Sequence, residues 1–223
     1  MSWLFYIVCV GLLHAQLLQF EATDNKIAIV AGQNMLYTYT WEYPKWVPEL
    51  KMQLHYTALK LITSTEFVVV LGDFNGFYLM DIIDKHGHVM YNKHSFSKVE
   101  VFNMTIVTNG VDFNKQIRVI HVYEYNGTDW TIRTLKPSLN PENTCDGDIK
   151  VNQEWMVTSC YNDLDYWVVV YRKINTEWVL YRVIRHWVKI ATLQLYTNTL
   201  VMEDIQGQKQ EHILEDVPLI LKY

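Results

Sequence analysis

Apolar and polar positions alternate with a period of two along most of this chain, and short polar clusters break the alternation at close intervals. That pattern predicts strands joined by tight turns. In "HVYEYNGTDWTIRTL", His121 to Leu135, two alternating runs meet at Asn126-Gly127. The stretch reads as a strand, a turn and a returning strand. "VVVYRKINTEWVLYRV", Val168 to Val183, repeats the design. In both, a Trp opens the returning strand, and Trp130 and Trp178 lie 48 residues apart. "LYTYTWEYPKWVPELKM" has the same shape around Trp46, and "FYLMDIIDKHGHVMYNKHSF" places Met90 at that position.

A second kind of hairpin lies between these. "LKLITSTEFVVVLGD", "VEVFNMTIVTNG", "IKVNQEWMVTSC" and "IATLQLYTNTLVMED" each join two β-rich runs through a brief polar turn. The chain therefore cycles through four strands, A to D, about every 40 to 50 residues, a period that marks solenoids and propellers. The fold class expected is all-β: a β-propeller-like array of about four to five four-stranded antiparallel blades. Runs such as "FVVVL" and "WVVVY" fit blades buried on both faces, which need no alternation. The alternative is a β-sandwich. The first cycle, from Lys26, lacks a clear strand A, and the closing "VPLILKY" is a candidate to complete that blade. The last cycle, after Leu200, is degraded. "PELKMQLHYTALKL" reads as a helix or a strand, and strand is favoured.

Composition agrees with strands. Half of the 223 residues are hydrophobic, with 15 Tyr, 8 Trp and 8 Phe, the types that suit pleated, packed surfaces. The formal charge of −5 and the lack of a basic block argue against a nucleic-acid partner. "WLFYIVCVGLL" followed by Ala15 predicts a signal peptide over residues 1–15, leaving one propeller-like domain over 16–223 with no membrane span. An uncleaved anchor is the rival reading, because the n-region carries no Lys or Arg; Gln16 and Gln19 interrupt the apolar run a span would need.

Cleavage removes Cys9 and leaves Cys145 and Cys160, so a disulfide is expected between them. Cys145 precedes a strand A and Cys160 ends the following strand B. Aligning Ile149 and Val151 with Trp155 and Val157 leaves the cysteines one residue out of register, which a bulge at Asp146-Gly147-Asp148 would correct. Sequons at Asn103 and Asn126 predict glycosylation and fit a secreted, extracellular location.

"VYEYNGTDW" and "VVVLGDFNGFYLMD" resemble the turns of FG-GAP-type propeller repeats. The resemblance implies a propeller and, in that family, a calcium loop. Asp73, Asn75 and Asp81 match three of its ligand positions, but Phe77 stands where a carboxylate is expected. Ca²⁺ takes six to eight oxygen ligands, so no calcium and no other cofactor is expected. His86, His88 and His94 suggest zinc only weakly, since no cysteine or placed carboxylate completes the set. Asp163 and Asp165, with Asp146 and Asp148 nearby, are a candidate for paired-carboxylate hydrolysis, although they sit in expected loops and a solvated, disulfide-anchored turn is the favoured reading. The sequence contains no nucleophile elbow, P-loop or H-E-x-x-H motif.

The function expected is non-catalytic binding of an extracellular protein or glycan through loops at one end of the scaffold. The B–C loops there are Gln33-Asn34, Asp73 to Asn75, Val111 to Asn114 and Asn162 to Asp165. The ligand-binding candidates are Asp73, Phe74, Asn75, Phe113, Asn162, Asp163 and Asp165, with Phe74 and Phe113 as aromatic anchors. The alternatives are an extracellular matrix or coat protein and a loop-carboxylate hydrolase.

Overall fold

In the computed structural model, residues 17–74, 77–92, 96–112, 117–137 and 144–215 are described. They form nineteen strands and, among the described residues, no helix. The chain divides into two compact units, Met1–Ser95 and Phe96–Tyr223, and the division falls between whole sheets.

The first unit holds two four-stranded antiparallel sheets. One is β1 (Leu17–Ala22), β2 (Lys26–Ala31), β3 (Met35–Glu42) and β4 (Lys45–Gln53). The other is β5 (Thr57–Thr63), β6 (Phe67–Phe74), β7 (Phe77–Asp84) and β8 (Val89–Asn92). Each sheet is an up-and-down meander, and β1 and β2 pack on β5 of the next sheet. Ala28, Val30, Leu36, Leu61, Val68 and Val70 fill the space between them.

β1 corrects the expectation of a missing first strand. Leu17–Ala22 pairs with β2 from Ala22↔Ile27 to Leu17↔Ala31, through one irregularity. In sequence this strand reads as the tail of the apolar leader. The closing "VPLILKY" lies outside the described residues. "PELKMQLHYTALKL" is extended, as favoured, but it is two strands. β4 ends at Gln53, Leu54 to Tyr56 make the turn, and β5 follows.

The second unit holds three sheets. β9 (Phe96–Phe102), β10 (Thr105–Asp112), β11 (Ile117–Tyr125) and β12 (Trp130–Leu135) make the first. β13 (Ile149–Val151), β14 (Trp155–Tyr161), β15 (Tyr166–Ile174) and β16 (Glu177–His186) make the second. The third has three strands, β17 (Ile190–Leu195), β18 (Thr199–Asp204) and β19 (Lys209–Ile213). First strands again meet first strands, β9 on β13 and β13 on β17. A–B turns therefore lie at one end of this unit, with B–C turns and D–A connections at the other.

The turns follow a local code. Asn126, Asn152 and Asn162 each accept backbone N–H bonds at Oδ1 from two and three residues ahead, while their own N–H closes on the carbonyl three residues on. A side chain that satisfies its own turn makes Asn the natural punctuation between strands.

Between the first and second sheets of this unit, Val107, Ile120, Ile149, Met156, Val169 and Trp178 are buried together. Trp178 donates its indole N–H to Glu124 at 3.3 Å. Trp130 is only half-buried, tilted on Tyr125 at the hairpin end with ring centroids 5.1 Å apart.

The Cys145–Cys160 disulfide is present. Its register differs from the sequence expectation. Ile149 faces Thr158 and Val151 faces Met156, while Thr144 faces Tyr161. Two extra residues, not one, are therefore absorbed at Asp146–Asp148. Gly147 makes this possible, because a Cβ there would sit 2.1 Å from Ser159 Oγ and 2.9 Å from its carbonyl oxygen.

Candidate functional site

Three exposed apolar side chains lie in connections at the B–C and D–A end of the second unit. Tyr166 pairs with His186 at the open end of the β15–β16 hairpin. Leu164 lies in the turn just before Tyr166, and Trp187 just after His186. Ile190 pairs with Asp204, and Ile205 follows Asp204. The Ile205 N–H donates to the Lys189 carbonyl at 3.0 Å, tying the two connections together. Leu164 is 88% exposed, Trp187 87% and Ile205 63%. Lone exposed apolar residues are ordinary, but several large ones on adjacent loops mark a recognition surface.

The base beneath them is built from polar groups. Asn162 Oδ1 takes the N–H groups of Leu164 and Asp165 at 2.9 and 2.8 Å, which fixes Leu164 at the tip. Asp204 Oδ1 takes the N–H groups of Gln206 and Gln208 at 2.8 and 3.0 Å. Gly207, at φ 79°, closes that turn. His186 Nδ1 accepts the Trp187 N–H at 3.0 Å, and its Nε2 faces Asp204. That nitrogen is 3.8 Å from Asp204 Oδ2, and both residues are buried. Burial lowers the pKa of His212 on β19, and the charges of Arg182 and His186 lower it further.

The residues expected from sequence are dispersed among different roles. Asn162, Asp163 and Asp165 belong to this end, but Asn162 is spent on its own turn. The side chain of Phe74, and the whole of Asn75 and Phe113, lie outside the described residues, as does His94. Asp146 pairs with Arg118 at 3.6 Å. Asp148 receives the Leu193 N–H at 2.9 Å. These two carboxylates hold loops in place.

Asp73 and Asp81 do not converge. Asp73 pairs with Tyr78 and Asp81 with Val70, three steps along one unbroken register, so their side chains leave opposite faces of the sheet. His88 Nδ1 lies 2.9 Å from Asp84 Oδ2, and Asp84 Oδ1 accepts the backbone N–H groups of His86 and His88. Among the described residues, no three His, Cys, Asp or Glu are placed to hold a metal.

Asp81 accepts the Tyr56 hydroxyl at 2.7 Å, while its other oxygen has no hydrogen bond. The Tyr56 ring fills the space where a Cβ on Gly72 would stand. Burial raises the Asp81 pKa, and the Tyr56 hydrogen bond and the His55 charge offset this in part. A carboxyl raised in the folded state stabilises fully below its unfolded value, and that contribution is lost as pH rises through the folded value. Asp81→Asn keeps an acceptor for Tyr56 and has no charge to bury. Its stability relative to wild type should therefore increase as pH rises above about 4, the ordinary carboxyl value. Urea unfolding at several pH values measures this, and a difference that does not vary with pH contradicts the burial argument.

Sequence reasoning named the Asn162 to Asp165 loop but not Leu164 within it, and it missed Trp187 and Ile205. The signal available was one large apolar residue inside each of three polar stretches, "NDLD", "RHWVK" and "EDIQG".

No protein-family model matches the chain, FG-GAP repeats included, and no curated protein matches it in sequence. Solved structures do match in fold. Hsv2 of Kluyveromyces lactis superposes with a TM-score of 0.58 at 16% identity, over 88% of this chain and 61% of that one. The same protein with loop 6CD replaced by a Gly-Ser linker gives 0.57 at 12% identity, over 90% and 64%. Hsv2 of Kluyveromyces marxianus gives 0.53 at 12% identity, over 91% and 63%. These are β-propeller proteins, and the chain has the β-propeller fold, with five sheets among its described residues. It spans about three-fifths of the length of the structures it matches. Among the described residues, no helix is long and apolar enough to cross a membrane.

Proposed function

We propose that this chain is a non-catalytic binding protein that captures a protein partner on Leu164, Trp187 and Ile205. The carrying observation is that these three large apolar side chains lie at one end of one unit, on connections where Asn162, His186 and Asp204 each accept backbone N–H groups. A rigid base under an exposed Trp fits an interface anchor, because little ordering cost remains when a partner covers it. The spending of Asp146 and Asp148 on loop structure supports binding over hydrolysis. The function needs no cofactor in this reading.

We further propose that the protein is exported, with residues 1–15 as its leader and sugars on Asn103 and Asn126. The buried Cys145–Cys160 disulfide supports an oxidising compartment.

The experiment is a triple variant, Leu164→Asp, Trp187→Ala and Ile205→Asp, compared with wild type in quantitative co-purification from the secreted fluid of the producing cells. Loss of an anchor cluster should weaken capture by about 30-fold or more, corresponding to about 2 kcal/mol. The thermal midpoint should stay within about 2 °C, since exposed substitutions seldom change stability. Equal capture by the variant refutes the assignment.

A coat or matrix role is the second reading. β16 exposes Val179, Leu180 and Val183 on a strand that is last in its sheet, and exposed edge strands favour self-association. Concentration-dependent assembly abolished by Val183→Lys would favour that reading.

A further inference from the structure

The A–B end of the second unit carries a groove of about 330 Å³. Phe102 and Leu195 supply its apolar wall, and Asn152, Glu154 and Tyr196 its polar rim. Asn152 Nδ2 donates to the Tyr196 carbonyl at 2.7 Å and to the Thr197 carbonyl at 3.2 Å, which fixes two neighbouring A–B turns against each other. The groove is therefore a built feature of this unit.

A sequon sits on its edge. Phe102 and Thr105 face each other directly across the β9–β10 hairpin, and Asn103-Met104 is the two-residue turn between them. Asn103 is exposed, with its backbone in the left-handed region at φ 50°. A sugar on Asn103 starts one residue from the Phe102 ring. N-acetylglucosamine has a face rich in C–H groups and an edge of hydroxyls and an amide. Its C–H face suits an aromatic ring, and its edge suits the Gln153 amide, the Glu154 carboxylate and the Tyr196 hydroxyl that line this groove.

The other sequon lacks this arrangement. Tyr125, which precedes Asn126, is tilted on Trp130 and donates its hydroxyl to the Gly127 carbonyl at 2.9 Å. Its ring is already engaged.

We infer that the groove beside Phe102 is the seat of the first N-acetylglucosamine of a glycan on Asn103, so that this sugar packs as part of the folded unit. The inference rests on the export reading above. The glycan on Asn126 projects freely into solvent.

The test uses full-length protein secreted by cells that keep their N-glycans in the high-mannose form, with site occupancy read by mass spectrometry. Endoglycosidase trimming leaves one sugar on each site. The trimmed protein should melt with the intact glycoprotein. Asn103→Asp keeps a residue that tolerates the left-handed turn, and Thr105→Ala leaves the turn residue itself unchanged. Both remove the Asn103 sugar, and both should melt about 3 °C lower, the shift expected for about 1 kcal/mol in a chain of this size. In a Phe102→Leu background the same substitutions should change the midpoint by less than about 1 °C. Asn126→Asp should leave it unchanged.

An occupied Asn103 whose loss does not shift melting overturns the inference, and so does a shift that persists without the Phe102 ring. An empty Asn103 beside an occupied Asn126 overturns it while leaving export intact. Two empty sites on the secreted protein overturn this inference, and a chain that stays inside the producing cells overturns the export reading and this inference with it.

Discussion

Lys26→Met should destabilise the first unit by about 3 kcal/mol, the low end of the cost of removing one partner of a buried ion pair. Lys26 is 1% exposed although it opens strand β2. Its ammonium lies 3.1 Å from Glu49 Oε2 and donates to the Thr65 carbonyl at 3.2 Å. Thr65 belongs to the turn between β5 and β6, so the pair links the two sheets of this unit. Glu49 in turn accepts the hydroxyls of Thr38 at 3.1 Å and Thr40 at 3.4 Å. Methionine keeps the length of the stem and deletes the charge, leaving Glu49 without its cation. Glu49 is 19% exposed, so some solvation remains, and this is why the low end of the range applies. The double variant Lys26→Met with Glu49→Gln removes both charges and retains an acceptor for Thr38. It should recover more than half of the loss. Urea unfolding of the four proteins gives the coupling directly. A single-variant cost below about 1 kcal/mol would mean that the pair behaves as a surface ion pair.

That lysine also shows where sequence reading stops. The hairpins were legible because their turns are encoded locally. Asn126, Asn152 and Asn162 close their own loops, and Asn175, at φ 57°, makes a two-residue turn alone. Their repeated spacing then gave the sheets and the propeller. Register was less legible. Met156 and Val157 are both fully buried, so neighbouring blades cover both faces of β14. Alternation carries no information about pairing in such a strand. Strand β1 was hidden because its apolar residues continue the leader-like run, and pairing with β2 is what distinguishes it. The candidate site was hidden for a topological reason. Leu164, Trp187 and Ile205 are unremarkable one at a time, and they gain meaning only when antiparallel pairing brings their three connections to one end. The carboxylates drew attention in sequence because paired acids have known chemistry. In the fold, Asp146 and Asp148 face different partners and serve the loop that carries the disulfide.

Removing that disulfide, with Cys145→Ala and Cys160→Ala together, should cost about 3 kcal/mol in the second unit. The bridge closes a sequence separation of 15 residues, and a loop of that size is worth about this much in the chain-entropy model. The midpoint should fall by about 6 to 12 °C in a chain of this length. Beyond its entropy the bridge has a local role, because the loop it closes is where three sheets meet. Asn109 of β10 donates to the Gly147 carbonyl at 2.9 Å, Asp146 pairs with Arg118 of β11, and Asp148 holds the N–H of Leu193 on β17. Loosening Asp146–Asp148 therefore weakens the contacts of this loop with both neighbouring sheets. Hydrogen exchange should report this first at the amides of Tyr161 and Ser159, which bond to the Thr144 and Asp148 carbonyls. Wild-type protein unfolded in a strong thiol reductant should melt where the double variant melts. If the two midpoints agree with each other and with untreated wild type, the loop is held by its hydrogen bonds alone and the bridge contributes nothing to stability.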